Sequence, residues 1–96
     1  DGTMYYNNCQ YAHRKGVAIL ISPQFSGTTN VTYRDEDGRV LRVSVTYEDI
    51  SFNMYCIYSP NVSSDRIAFI DKLSILISDT PSIISGDFNE IVDPHL

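Results

Sequence analysis

The feature that most constrains the fold is a strand–helix–strand pattern over residues 51–86. A β-rich segment, "SFNMYCIY", is followed by a helical segment, and after a proline the short apolar run "SIIS" predicts a second strand. In such units the two strands are parallel, with a right-handed crossover, in nearly all cases. Their C-terminal ends, Tyr58 and Asp87, are therefore predicted to meet at the same edge of one sheet, which is where ligands bind in open α/β sheets.

The helical segment is predicted to run from about residue 63 to Ser78, with Ser63 or Ser64 as its N-terminal cap. A helix of that length returns the chain to the level at which the first strand began, since about 14 residues span ~21 Å and a six-residue strand spans ~20 Å. Apolar side chains recur at helical spacing, which predicts one buried stripe with two flanking residues. The stripe consists of Ile67, Ile70, Leu73 and Ile77, flanked by Phe69 and Leu76.

More strands are predicted earlier in the chain. The segment "GVAILIS" over residues 16–22 contains a continuous apolar run, residues 17–21, and is bounded by Gly16 and Pro23, which predicts a central strand covered on both faces. Two β-rich segments, "TTNVTYR" and "RVLRVSVTY", flank the acidic turn "DEDG", which predicts a hairpin. In the second of them polar and apolar residues alternate from Val40 to Tyr47, and residues 1–15 are predicted to be a loop or a short strand. The pattern favours the α/β class.

Composition restricts the function classes. The net charge is −5, so the chain has no overall electrostatic footprint for nucleic acid, although a local basic strip or a bound divalent cation can offset acidity elsewhere. The longest apolar run, residues 17–21, is far shorter than the roughly 20 residues of a membrane span, so no membrane association is predicted. Cys9 and Cys56 are too few for a disulfide framework, and Cys56 is interpreted as a small buried hydrophobe in a reducing, intracellular compartment.

Residue types suited to phosphodiester hydrolysis follow both predicted parallel strands. A carboxylate such as that of Asp87 can orient and deprotonate a water, and the amide of Asn89 offers N–H donors to an oxygen on which charge develops. Tyr58 adds a phenol at the same edge, and Asn61 follows on a turn that Pro60 stiffens. Asp and Asn are also favoured turn residues, so composition alone favours an ordinary turn. The convergence of two strand ends is what favours a site.

Three motifs, "GVAILIS", "IYSPN" and "SGDFNE", occur in this order and at separations that resemble the endonuclease/exonuclease/phosphatase superfamily. The chain is most similar to the apurinic-endonuclease-like domain of non-LTR (LINE-type) retrotransposon polyproteins, over roughly residues 16–90. The resemblance implies a DNase I-like, four-layer α/β sandwich of two mixed sheets flanked by helices. It also implies Mg²⁺-dependent hydrolysis, with Mn²⁺ as an alternative ion, and an endonuclease that nicks target DNA for retrotransposition.

The resemblance also implies a role for each matching residue. Tyr58 matches the active-site tyrosine, Asn61 the asparagine that contacts substrate, and Asp87 the aspartate that activates water. Asn89 matches the asparagine that stabilises the phosphate, and Asp87 and Asn89 are also near the metal in some members. The implied partner is DNA, held through its phosphates, with a reverse transcriptase domain following in the full-length protein and a nuclear location when genomic DNA is cut.

The chain departs from the family pattern at both ends of the site. The family has a metal-holding glutamate upstream of the segment that starts at Gly16, and no glutamate precedes Gly16 here. It also has a downstream aspartate and a histidine, for which Asp93 and His95 are the candidates, but His95 follows Asn89 too closely to match the histidine. Residues 1–96 are therefore expected to be the central part of one domain, inactive alone. The alternatives are a superfamily enzyme acting on RNA, inositol phosphates or lipids, and a degenerate non-catalytic remnant.

Overall fold

A computed structural model describes residues 2–8, 16–77 and 80–87. In chain order, its strands are β1 (Thr3–Asn8), β2 (Gly16–Ile21), β3 (Thr28–Arg34), β4 (Val40–Tyr47), β5 (Ile50–Tyr58) and β6 (Ser82–Asp87), with the helix α1 (Ser63–Leu76) between β5 and β6. The described part of the chain is thus an α/β fold made mostly of strands.

The strands form two sheets. β1 and β2 pair antiparallel in a two-stranded sheet, and the other strands form a four-stranded sheet in the order β3-β4-β5-β6. The larger sheet is mixed, because β3, β4 and β5 pair antiparallel whereas β5 and β6 pair parallel. The prediction that the strands flanking the helix are parallel is therefore confirmed.

The predicted hairpin is also confirmed, and it connects β3 to β4. Its turn is closed by Gly38, which has a φ of 70°, a conformation that glycine adopts without steric cost. The register shifts between Val31 and Tyr33, so Thr32 is the extra residue of a β-bulge. The oxygen Oγ1 of Thr32 then accepts a hydrogen bond from Nε of Arg42 at 2.9 Å.

The main core lies between the two sheets. The alternation in β4 directs Leu41, Val43 and Val45 into it, and β2 contributes Val17 and Ile19. Side chains of β1 also bind the hairpin: the hydroxyl of Tyr5 contacts Thr29, and Asn7 contacts the turn that begins at Asp35. A second cluster, Val40, Tyr55, Ile57 and Leu73, lies between the larger sheet and α1.

The prediction that β2 is covered on both faces is wrong for the described residues. Val17 and Ile19 are buried, but Leu20 between Ile19 and Ile21 is 73% exposed. Within the described part of the chain β2 has β1 as its strand neighbour and one face against the core. A continuous apolar run does not distinguish this one-sided burial from burial on both faces. Residues 1–15 do contain a strand, β1, as one of the two predicted options.

Two predictions about α1 are also wrong. The N-terminal cap is Val62, which has no side-chain hydrogen bond to the helix, because the helix already includes Ser63 and Ser64. Ile67 and Ile70 are exposed rather than buried, at 64% and 49%. The sheet instead covers the side of α1 that carries Leu73, which is buried, with Phe69, Leu76 and Ile77 packed around it. Among the described residues no helix is long and apolar enough to cross a membrane.

Candidate active site

The candidate site lies where β5 and β6 end. Tyr58 is paired with Asp87 across the parallel ladder, so the two residues occupy the same level and the same face of the sheet. Gly86, one residue before Asp87, has a φ of 136°, and a Cβ at this position would overlap the carbonyl oxygen of Ile57. A glycine is therefore required for β6 to approach β5 so closely at the edge of the site.

Tyr58 is half-buried and packs against the core between the two sheets. Its backbone is held by Arg39: the Tyr58 N–H donates to the Arg39 carbonyl at 2.8 Å, and Nη1 of Arg39 donates to the Tyr58 carbonyl at 3.0 Å. The guanidinium carbon of Arg39 lies 5.2 Å from the centre of the Tyr58 ring, within the range of a cation–π contact. Tyr58 is thus fixed through both its backbone and its ring.

The loop from β5 to α1 places Asn61 beyond Tyr58. The Ser59 N–H donates to the Asp87 carbonyl at 2.8 Å, which extends the contact between the two strand ends by one residue. Pro60 is buried, and Asn61, two residues before the start of α1, is exposed. Nη1 of Arg66 donates to the Asn61 carbonyl at 3.3 Å, so the helix holds the loop through its first turn. Asn61 therefore follows the strand ends on a loop bound at two points.

Among the described residues at this edge, the Asp87 carboxylate could hold a metal ion. Its side chain is exposed, and a carboxylate oxygen is the hard ligand that Mg²⁺ prefers. Within the described ranges no three His, Cys, Asp or Glu side chains form a cluster. One carboxylate still fits Mg²⁺, which is commonly bound through one or two carboxylates together with substrate phosphates. Asn89, Asp93 and His95 lie outside the described residues.

A separate groove of about 760 Å³ lies between the β3–β4 turn and α1. Its lining includes Arg39, Pro60, Phe69 and Lys72, but not Tyr58, Asn61 or Asp87. Arg39 thus lines this groove and also contacts Tyr58 of the candidate site.

Sequence reasoning missed Arg39. It directly precedes Val40, which pairs with Ile57, so Arg39 lies opposite Tyr58 in the antiparallel ladder. The hairpin motif in the sequence places Arg39 immediately before β4. The register between β4 and β5 is also needed to show that Arg39 lies beside Tyr58. Once the two-residue turn from Tyr47 to Ile50 is fixed, counting along both strands gives that register.

Comparisons with models of protein families and with curated protein sequences find no match to this chain. The resemblance to the endonuclease/exonuclease/phosphatase superfamily is therefore carried by the three sequence motifs.

Proposed function

We propose that this chain is the central part of a metal-dependent endonuclease of the endonuclease/exonuclease/phosphatase type, which nicks DNA in retrotransposition. The observation that supports it most is the pairing of Tyr58 with Asp87 at the ends of two parallel strands. Asn61 follows on the adjoining loop, three residues after Tyr58, which agrees with a substrate contact beside this pair. If "GDFN" were only a turn after β6, nothing would require a polar aromatic side chain beside Asp87 at the end of β5.

Each residue has a distinct role in the proposed reaction. Asp87 orients a water and takes its proton as the water attacks phosphorus. The bond from phosphorus to the leaving sugar oxygen breaks, and that oxygen takes a proton from solvent water. The amide of Asn61 binds the substrate, and the amide of Asn89 donates to the phosphate oxygen on which charge develops. Tyr58, at the end of the neighbouring strand β5, contacts the phosphate with its phenol. Mg²⁺ would be held by Asp87 and Asn89, and when bound it neutralises charge on the phosphate.

The proposed fold is the DNase I-like four-layer sandwich, of which this chain supplies the central part. Two sheets packed around a shared core are the inner layers of such a sandwich. Leu20 lies on the face of β2 turned away from the core and is 73% exposed, which agrees with a further layer over the smaller sheet. Ile83 is 54% exposed although it pairs with Met54 on the face turned toward the smaller sheet, which agrees with further strands in that sheet. Soluble proteins seldom expose large contiguous apolar surfaces. The proposed whole protein continues into a reverse transcriptase domain, and it acts in the nucleus.

The test is the substitution Asp87→Asn in the full-length gene product. It keeps the shape of the side chain and removes the base, so single-turnover cleavage of DNA should fall by about 10²–10⁴-fold. Binding should change little or become tighter, because DNA affinity comes mostly from phosphate contacts and a negative charge has been removed. Asp49→Asn is the matched control, since Asp49 is exposed just before the opposite end of β5.

Cleavage by Asp87→Asn within a few-fold of wild type would show that "GDFN" is only a turn. A second variant, Asn89→Ala, should cost roughly 3 kcal/mol of transition-state stabilisation, as loss of other anion-stabilising amides does. Substrate panels that include RNA and inositol phosphates identify the substrate class. Hydrolysis of one of these in preference to DNA would replace the endonuclease by another enzyme of the superfamily.

A further inference from the structure

A buried polar side chain that the proposed reaction does not use connects the two sheets close to Tyr58. Asn7 of β1 is 7% exposed, and its Nδ2 lies 2.8 Å from Oδ1 of Asp35 and 2.9 Å from the carbonyl oxygens of Asp35 and Val40. A buried amide that lacks hydrogen-bond partners destabilises a fold, and here all three acceptors surround Nδ2 of Asn7. Asn7 therefore binds the β3–β4 turn of the other sheet.

The same turn is fixed from inside by Asp35. Its Oδ1 also accepts hydrogen bonds from the backbone N–H groups of Arg39 and Val40, both at 2.8 Å. These bonds determine where the backbone of Arg39 lies. Arg39 in turn exchanges two hydrogen bonds with the backbone of Tyr58 and places its guanidinium over the ring. A continuous series of contacts thus runs from Asn7 to Tyr58.

We propose that Asn7, Asp35 and Arg39 form a clamp that holds Tyr58 in one orientation at the candidate site. Arg39 is the member that touches Tyr58, and Asn7 and Asp35 position Arg39. All three are positioning residues for the reaction. The catalytic part of this inference depends on the proposed function, whereas the orientation of Tyr58 can be measured without any activity.

The chain contains a matched control for Arg39. Arg42 lies on the same strand hairpin, and its guanidinium carbon is 5.7 Å from the centre of the Tyr33 ring. Its Nε donates to Thr32, so it too combines a ring contact with a hydrogen bond. Its Nη2 also donates to the Thr32 carbonyl at 3.4 Å. Arg42→Met therefore removes interactions of the same two kinds and leaves Tyr58 untouched.

The first measurement is two-dimensional NMR of the protein with ¹³C-labelled tyrosine, in which Tyr58→Phe and Tyr33→Phe assign the two ring signals. Arg39→Met should shift the Tyr58 signal and leave that of Tyr33 in place, and Arg42→Met should do the reverse. Asn7→Ala should also shift the Tyr58 signal, through the turn that positions Arg39. An unchanged Tyr58 signal in Arg39→Met, with native unfolding behaviour, would overturn the clamp.

The second measurement is single-turnover cleavage by the full-length gene product. Arg39→Met should slow it by about tenfold to a hundredfold, since small misplacements of a reacting group have effects of that size. Arg39→Lys should recover part of the loss, because it keeps the charge but not the planar fork. Arg42→Met should retain the wild-type rate.

A double-mutant cycle separates positioning from general destabilisation. If Arg39 acts through Tyr58, Arg39→Met should have little further effect once Tyr58→Phe has removed the phenol. Independent, additive effects of the two substitutions on the rate would overturn the positioning role. If the wild type cleaves no substrate while Arg39→Met still shifts the Tyr58 signal, the proposed function fails and the clamp stands.

Discussion

At the scale of single residues, the backbone of Gly86 decides whether Tyr58 and Asp87 meet. We expect Gly86→Ala to destabilise the fold by at least 1–3 kcal/mol, the usual cost of such a backbone conformation for a residue with a Cβ. Overlap with the Ile57 carbonyl adds to that cost. Urea unfolding measures the change, and Ser85→Ala is the control because Ser85 is exposed on the same strand. A Gly86→Ala protein within about 0.5 kcal/mol of wild type, the usual range for surface changes, would contradict this account.

The sequence predicted the meeting of Tyr58 and Asp87 but not the residue that holds Tyr58. Tyr58 and Asp87 lie in one strand–helix–strand unit, whose parallel geometry follows from connectivity alone. Arg39 belongs to a different unit, the hairpin, and reaches Tyr58 through pairing between β4 and β5. Its partner depends on the register between β4 and β5, which is set by the length of the turn between Tyr47 and Ile50 rather than by Arg39 itself.

At the scale of elements, α1 is attached to the sheet mainly through Leu73. Leu73 is 8% exposed in the cluster with Tyr55 and Ile57, whereas Ile75 is 84% exposed. Leu73→Ala should therefore lower the free energy of unfolding by about 2–5 kcal/mol, as for other buried leucines. Ile75→Ala should have almost no effect or a slightly favourable one, since alanine has the higher helix propensity. Equal effects of the two substitutions in denaturant unfolding would show that α1 packs through a different face.

The helix illustrates what periodicity determines. Spacing correctly predicted a helix and included Leu73 in its apolar stripe. It did not determine which edge of that stripe the sheet covers, so Ile67 and Ile70 were predicted to be buried. The choice depends on the angle at which α1 crosses β4 and β5, which is a tertiary property. Similarly, the apolar run in β2 predicts a buried strand but does not determine whether one face or both faces are covered.

At the scale of the whole molecule, local patterns predicted the α/β class, the hairpin and the parallel pair. They did not predict that β1 and β2 form a sheet separate from the other strands. The way in which the two sheets pack is determined by contacts between segments far apart in sequence, such as the one between Asn7 and Asp35. The candidate site likewise combines local and distant parts of the chain. Tyr58 and Asp87 come from one strand–helix–strand unit, whereas the residues that support Tyr58 come from both sheets.

The last prediction concerns the activity of residues 1–96 by themselves. We expect no Mg²⁺-dependent nicking of supercoiled DNA by the purified chain, because the resemblance requires a metal-holding glutamate and none precedes Gly16. Asp87 is then the one carboxylate assigned to the metal, and the apolar surfaces around Leu20 and Ile75 are left exposed to water. The full-length gene product, assayed on the same plasmid, is the positive control. Nicking by the 96-residue chain that both EDTA and Asp87→Asn abolish would place a complete ligand set within it, and Glu90 would then be the first carboxylate to substitute.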